Sequence, residues 1–211
     1  MPRPANPFVR ERLLDAGLAL FHARGINAVG IKEVTDTAGV PKGSFYSYYN
    51  SKNDFVAGVI DHYWAEVIRD HGVLLTDTSA PPVRRLVAFF KSLTQEHAER
   101  GFALGCLLGN LALELTDDNG EARQRLADIM DQWSALIGEC LTQARSAGDV
   151  TATTDTTELA SMIIECWEGA VMRGRVDRSR VPFDRFLTVS LPRLIGHGPG
   201  ICLRARRESA C

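Results

Sequence analysis

Two short stretches of the 211-residue chain gather side chains that can do chemistry. The first is VPKGSFYSYYNSKNDF, Val40 to Phe55. It holds Tyr46, Tyr48 and Tyr49, the small residues Gly43, Ser44 and Ser47, and the cations Lys42 and Lys52. A core segment does not scatter hydroxyls, amines and glycine in this way, and a plain solvent loop does not carry so many rings. Phenol O–H and ammonium N–H groups are donors suited to phosphate oxygens, and such contacts fix position on a polyanion without reading its sequence. The second stretch is GFALGCLLGNLALEL, Gly101 to Leu115, with Cys106 directly after Gly105 at an expected helix start. A thiol reacts as its thiolate, which a helix N-terminus or a nearby cation favours. Attack on an electrophile, or oxidation to a sulfenic acid, would alter the local packing. The plainer reading of Cys106 is a small buried hydrophobe.

Other chemistries find no support. The five histidines are scattered, and none makes a metal-ligand pattern with cysteine or with a carboxylate four residues on. There is no nucleophile–base motif, no phosphate loop and no paired carboxylates, so neither catalysis, a cofactor nor a metal site is expected. The five cysteines (Cys106, Cys140, Cys166, Cys202 and Cys211) are odd in number and form no C-x-x-C pair, which argues against a disulfide framework or zinc. Cys140 and Cys166 fall on apolar faces and read as packing; Cys202 and Cys211 fall in an expected mobile tail. No apolar run is long enough to span a bilayer, and MPRPANPFVRER lacks the apolar core of a signal peptide. The expectation is a cytoplasmic protein with reduced thiols.

The elements that must position these groups are helical. Hydrophobic residues make up 45% and charged residues 24%, ordinary for a globular chain. In FVRERLLDAGLALFHARG, Leu13, Leu14, Leu18 and Phe21 share a face, and Gly25 is a candidate C-cap. In GIKEVTDTAGV, Ile31, Val34 and Ala38 keep helical spacing until Gly39. Pro41 then opens a short helix, and Ser51 is placed to cap the next, KNDFVAGVIDHYWAEVIRDH. Three helices within about fifty residues, the last two joined by a short turn, outline a helix-turn-helix unit. Through Lys52 the chain has seven basic and four acidic residues, a balance of +3, so the rest carries −5 to reach the total of −2. A basic head on an acidic body fits local nucleic-acid binding. The body continues with PPVRRLVAFFKSLTQEHAER, a helix around Cys106, the long GEARQRLADIMDQWSALIGECLTQARSAG, a helix from Thr156 to Val176 with Thr and Asp capping candidates, and a last one from Phe183 to Ile195. The expected architecture is all-α, with a three-helix helix-turn-helix head over residues 1–52, a larger helical body over 53–198 and a mobile tail over 199–211.

The head resembles the DNA-binding domain of the TetR family of bacterial transcriptional regulators. The likeness rests on Phe21, Gly25, Ala38-Gly39-Val40, Lys42-Gly43, Ser44, Phe45, Tyr46, Tyr48-Tyr49 and Lys52, and covers about a quarter of the chain. Gly30 departs from it, standing where the family often has threonine. The resemblance implies DNA contacts from Lys32, Pro41, Lys42, Gly43, Ser44, Tyr46, Tyr48 and Lys52. Gly43 allows close approach, Lys42 and Ser44 reach base edges or phosphates, and Tyr46, Tyr48 and Lys52 hold phosphate. Phe45 and Tyr49 are expected to face the domain's own core.

The body is similar to an effector-binding and dimerisation domain, and its G-C-L stretch and CWEGAVMRGRV resemble a subgroup responding to electrophiles or acrylate. That subgroup implies Cys106 as the sensing thiol, with Arg175 where the subgroup has lysine. Phe102, Glu114, Trp133, Trp167 and Glu168 are the further candidates for effector contact. The implied assembly is a homodimer on a palindromic operator, with the Thr156–Val176 and Phe183–Ile195 helices as the dimer surface, and the implied role is repression relieved by a small molecule or electrophile. The rival reading is a small-molecule-binding or thiol-scavenging protein whose helix-turn-helix is vestigial.

Overall fold

Helix α1 (Pro7–Arg24) begins on Asn6, whose side-chain oxygen accepts the Phe8 N–H at 3.1 Å, and stops at Gly25. A computed structural model describes residues 6–196 of the chain apart from 152 and 154, and among the described residues no strand occurs. The expected tail, 199–211, with Cys202 and Cys211, lies outside the described residues. After α1 come α2 (Ile31–Ala38), α3 (Lys42–Phe45) and α4 (Lys52–Val67). Gly39 ends α2 in the left-handed conformation, φ 64°, where a side chain would be strained, and this turns the chain sharply into α3. Ser51 caps α4 by accepting the Asp54 N–H at 3.0 Å.

The described chain forms two compact units. The first combines the residues up to Asp70 with Leu104–Trp133. Its apolar centre holds Leu13, Leu14, Phe21, Val34, Phe45, Tyr49, Phe55 and Val59, all buried. The Phe55 ring meets Phe21, Phe45 and Tyr49 edge-on at centroid distances of 5.8, 5.2 and 4.8 Å. The returning segment supplies α7 (Leu107–Ala112), the short turn Asp117–Asn119 and the first half of α8 (Gly120–Ser146). Polar contacts fasten it to the helix-turn-helix part. Asn27 donates its N–H to Glu114 Oε2 at 3.3 Å and its amide to the Glu114 carbonyl at 3.2 Å. The Asn119 side-chain amide donates to Asn53 Oδ1 at 2.7 Å, and Arg125 pairs with Asp61. The sequence drew a boundary at residue 52. The compact unit also takes in 104–133, through bonds between residues more than sixty positions apart that leave no local pattern in the sequence.

The second unit combines His71–Ala103 with the residues from Ser134 onward. It holds α5 (Val73–Thr76), α6 (Pro82–Glu99), the rest of α8, α9 (Thr156–Asp177), α10 (Val181–Arg185) and α11 (Leu191–Leu194). Trp167 of α9 is its centre, with Phe90, Phe183 and Phe186 at 5.0, 5.5 and 5.2 Å. Asp155 caps α9 by accepting from Thr157 and Glu158. The last helix, expected to be continuous over Phe183–Ile195, widens into a π turn at Phe186–Ser190. Pro192, which has no N–H to donate back, begins the short α11 beyond it.

One polar cluster fastens this unit. His71 Nε2 donates to Glu96 Oε2 at 2.9 Å, His71 Nδ1 meets Ser92 Oγ at 2.8 Å, and Arg100 closes on Glu96 Oε1 at 2.7 Å. The hydrogen bond from His71 is the main reason the Glu96 carboxyl sits below its ordinary 4.5; burial opposes it, and the charge of Arg100 adds to it. A carboxyl held low in the folded state contributes stability above its ordinary pKa and loses it as pH falls through the lowered value. Chemical denaturation of wild type and Glu96→Gln at about pH 7 and about pH 3.5 should show a wild-type advantage that shrinks at the lower pH. An advantage that stayed constant or grew on acidification would contradict this account.

Candidate nucleic-acid interface and sensor region

Helix α3 is a single turn, which cannot hold its shape alone. Pro41 enters it extended, φ −60° and ψ 139°, and its carbonyl accepts the Ser44 N–H at 2.8 Å. Further tight bonds, Tyr48 N–H to Phe45 O at 2.9 Å and Tyr49 N–H to Phe45 O at 3.0 Å, continue the coil. Phe45 and Tyr49 turn inward and are buried; Tyr46 turns outward and is 57% exposed. Pro41, Lys42 and Gly43 are exposed and Ser44 is half-buried. A Cβ on Gly43 would meet nothing of this chain within 4 Å. The interior therefore does not require glycine there.

The remaining residues of this group are already engaged. Lys32 is exposed and pairs with Asp36 one turn on at 2.5 Å. The Tyr48 hydroxyl accepts the Asn6 N–H at 2.9 Å, which fixes the ring while leaving the phenol's own proton to donate. The Lys52 ammonium donates to the Ile26 carbonyl, and burial lowers its pKa while the Glu114 carboxylate pulls it back up. Lys52 thus helps close the α1–α2 turn. Gly30 begins α2 with no side-chain cap.

The effector candidates divide between the two units. Cys106, Glu114 and Trp133 belong to the first; Phe102, Trp167, Glu168 and Arg175 belong to the second. Cys106 is buried at the start of α7, and the Tyr63 hydroxyl approaches its Sγ at 3.9 Å. Directly before it, Gly105 adopts φ 75°, open to glycine, and its carbonyl accepts from His22 Nε2 at 2.8 Å. His22 is buried in the last turn of α1 and meets the Tyr63 ring at 5.9 Å. Trp133 packs on Trp64 at 5.9 Å, and its indole N–H is buried without a partner. Glu114 lies against the α1–α2 turn. Phe102, with φ 56°, packs on Phe183 at 5.3 Å; Trp167 is core, Glu168 is half-buried and Arg175 is exposed. Sequence reasoning missed His22, whose position after Phe21 reads as one more core residue, and Asn6. Among the described residues no cluster of histidine, cysteine and carboxylate fits a metal ion, and no helix is long and apolar enough to cross a membrane.

An all-helical chain with a one-turn recognition element on an aromatic anchor is the frame of a helix-turn-helix regulator. Residues 13–59 match the bacterial regulatory proteins of the tetR family, and residues 82–189 match the tetracyclin repressor-like C-terminal domain. The chain belongs to the TetR family of transcriptional regulators. It is 33% identical to the HTH-type transcriptional repressor DhaR of Mycobacterium sp. (strain GP1), over 89% of this chain and 92% of that one. Its fold is similar to the crystal structure of a regulatory protein TetR from Rhodobacter sphaeroides, with a TM-score of 0.79 and 32% identity over 87% of this chain and 97% of that one. It is also similar to the reduced form of E. coli NemR, with a TM-score of 0.76 and 26% identity over 89% and 98%. The homologues and matched domains are regulators, not enzymes.

The buried face of the recognition stretch contains one testable flaw. The Tyr49 hydroxyl is buried with no partner, and burial raises its pKa. Tyr49→Phe removes an unsatisfied polar group and keeps the ring that lies under the Arg10 guanidinium at 5.9 Å. Thermal unfolding should find the variant as stable as wild type, or more stable by about 1 kcal/mol. A loss of that size would mean that the hydroxyl has a partner in solution.

Proposed function

We propose that the chain works as a homodimeric repressor. One α3 surface meets each half of a palindromic operator, and a small molecule or an electrophile acting on the body releases the DNA, with Cys106 as the sensing thiol. The observation that carries the DNA-facing part is the division of one short stretch: Phe45 and Tyr49 buried, Lys42, Gly43 and Tyr46 outward. Gly43 admits a close approach, Lys42 and Tyr46 donate to phosphate, and Ser44 stands at the groove edge. Tyr48 adds its remaining proton, while Lys32 and Lys52 contribute after loosening present contacts.

Exposed Met162, Met172 and Val176 on α9 and Val181 of α10 support a second copy as partner. A two-fold dimer sets two recognition elements in successive major grooves, which requires a palindrome.

The sensing part rests on the G-C-L likeness and on what adjoins Cys106. The E. coli repressor is known in a reduced form, which agrees with a thiol sensor. When the thiol adds across an electron-poor double bond, a C–S bond forms and the proton passes to the neighbouring carbon. The enlarged side chain no longer fits where Cys106 is buried. Displacing Cys106 moves the Gly105 carbonyl, and the His22 bond carries the displacement into α1. The shift favours heads spaced wrongly for two grooves. Phe102, Glu114, Trp133, Trp167, Glu168 and Arg175 are the residues to examine for a reversible ligand.

Fluorescence anisotropy on DNA flanking the protein's own gene tests the DNA-facing part. Lys42→Ala should weaken binding on every operator sequence and reduce the salt slope by about 1; unchanged affinity and slope would remove Lys42 from the phosphate contacts. For the sensor, Cys106→Ser should keep operator binding yet resist release by an electron-poor alkene. A serine variant released as readily as wild type rules out covalent sensing at this position. His22→Gln should be alkylated to the wild-type extent by intact mass but release less DNA, and release that still tracks alkylation would show that the signal takes another route.

A further inference from the structure

One face of α9 is left uncovered by its own unit, and its residues match one another about a single point. Met162, Glu165, Met172, Arg173 and Val176 are exposed and Cys166 is half-buried. At 3.6 residues per turn, all six fall within about 60° of Gly169 around the helix. Gly169 is exposed at their middle, and a Cβ on it would meet nothing of this chain within 4 Å. The unit's own packing therefore does not require glycine, a poor helix former, at this position. A glycine admits the close approach of another backbone.

Charge narrows which backbone that is. Two copies of a helix related by a two-fold axis perpendicular to it run antiparallel. When the axis passes over Gly169, a residue some way before it faces the residue equally far after it in the other copy. Four positions either way stand Glu165 and Arg173, of opposite charge. Three either way stand Cys166 and Met172, and seven either way Met162 and Val176, apolar against apolar. At a rise of 1.5 Å per residue, the inner two pairs lie within about 6 Å of the crossing along the axis, close enough to meet despite the tilt of packed helices. Centring the crossing one turn earlier, on Glu165, or one turn later, on Arg173, would set like charges against each other. The two charges are also available. No lysine or arginine stands three or four positions from Glu165, so its own helix offers it no cation. Arg173 Nε donates to Asp177 Oδ2 at 2.7 Å, which leaves its Nη groups to meet a second carboxylate.

We propose that two copies of this chain cross antiparallel at Gly169 of α9, with Glu165 of each matched to Arg173 of the other, and that this reciprocal match selects a second copy over regulators that lack it. The proposal rests on the homodimer proposed above and adds the register and the residues that set it. The apolar pairs supply the buried area. The ion pairs fix the register and reject mismatched partners, because like charges set opposite one another are strongly unfavourable.

Sedimentation equilibrium on the full-length chain and its variants tests this, with native mass spectrometry for mixtures. Glu165→Arg and Arg173→Glu each set like charges across the axis and should weaken the dimer at least about tenfold. The double variant E165R/R173E exchanges the two charges and should recover dimerisation to within about threefold of wild type. Mixing the two single variants should yield more heterodimer than either homodimer, because both pairs are then of opposite charge. Gly169→Leu should keep the wild-type helix content by circular dichroism and weaken the dimer at least about tenfold. A wild type that stays monomeric would refute the homodimer itself and this pairing with it. A dimeric wild type would refute the register alone if the single variants or Gly169→Leu dimerised undiminished, if the double variant stayed as weak as the singles, or if the mixture gave no excess of heterodimer.

Discussion

The outward surface of α3 depends on the packing of one ring. Phe55, fully buried near the start of α4, touches Phe21 of α1, Phe45 of α3 and Tyr49 beyond it. A helix of four residues has almost no intrinsic stability. Its orientation is set by the two side chains it buries and by the tight turn at Gly39. Because inward and outward residues alternate over so short a span, anchoring Phe45 and Tyr49 also fixes where Lys42, Gly43 and Tyr46 point. Replacing any ring of this cluster would disturb the outer surface without touching it.

The same economy governs the segment 104–133. Most of its apolar residues are buried, Leu113 being an exception, but the bonds that join it to the helix-turn-helix part are polar and specific: Glu114 with Asn27, Asn119 with Asn53, Arg125 with Asp61, and Gly105 with His22. Polar contacts of this kind have directions and can be broken singly, whereas an apolar contact tolerates sliding. A regulator benefits from such a joint, because a small displacement at one end changes which bonds are made at the other.

What could be read from the sequence follows from how local each signal is. The helix starts and stops were legible because their causes are adjacent in the chain: Pro82 opening α6, Ser51 capping α4, Asp155 capping α9, Gly25 closing α1. The outward direction of Tyr46 was legible from the polar and basic neighbours it is set among, and the expected inward direction of Phe45 and Tyr49 agrees with the burial of both rings. The occupation of Lys52 by the Ile26 carbonyl was not, since it depends on a partner 26 positions away. The contact of Glu114 with Asn27, 87 positions away, was not legible for the same reason. The widened turn in the last helix was half legible, because Pro192 announces a disturbance but not its form.

Several of the head's cations are already engaged within the head. Arg24 lies against Glu33, Lys32 against Asp36 and Arg12 on the Gly39 carbonyl, while Lys52 is turned toward the α1–α2 turn. A carbonyl leaves a cation's charge in place, so of these four only Arg24 and Lys32 are matched by an opposite charge, and only their share of counterion release on a duplex is reduced. Either pair must open before its cation can turn to a phosphate, so part of that attraction goes into breaking a bond the head already holds.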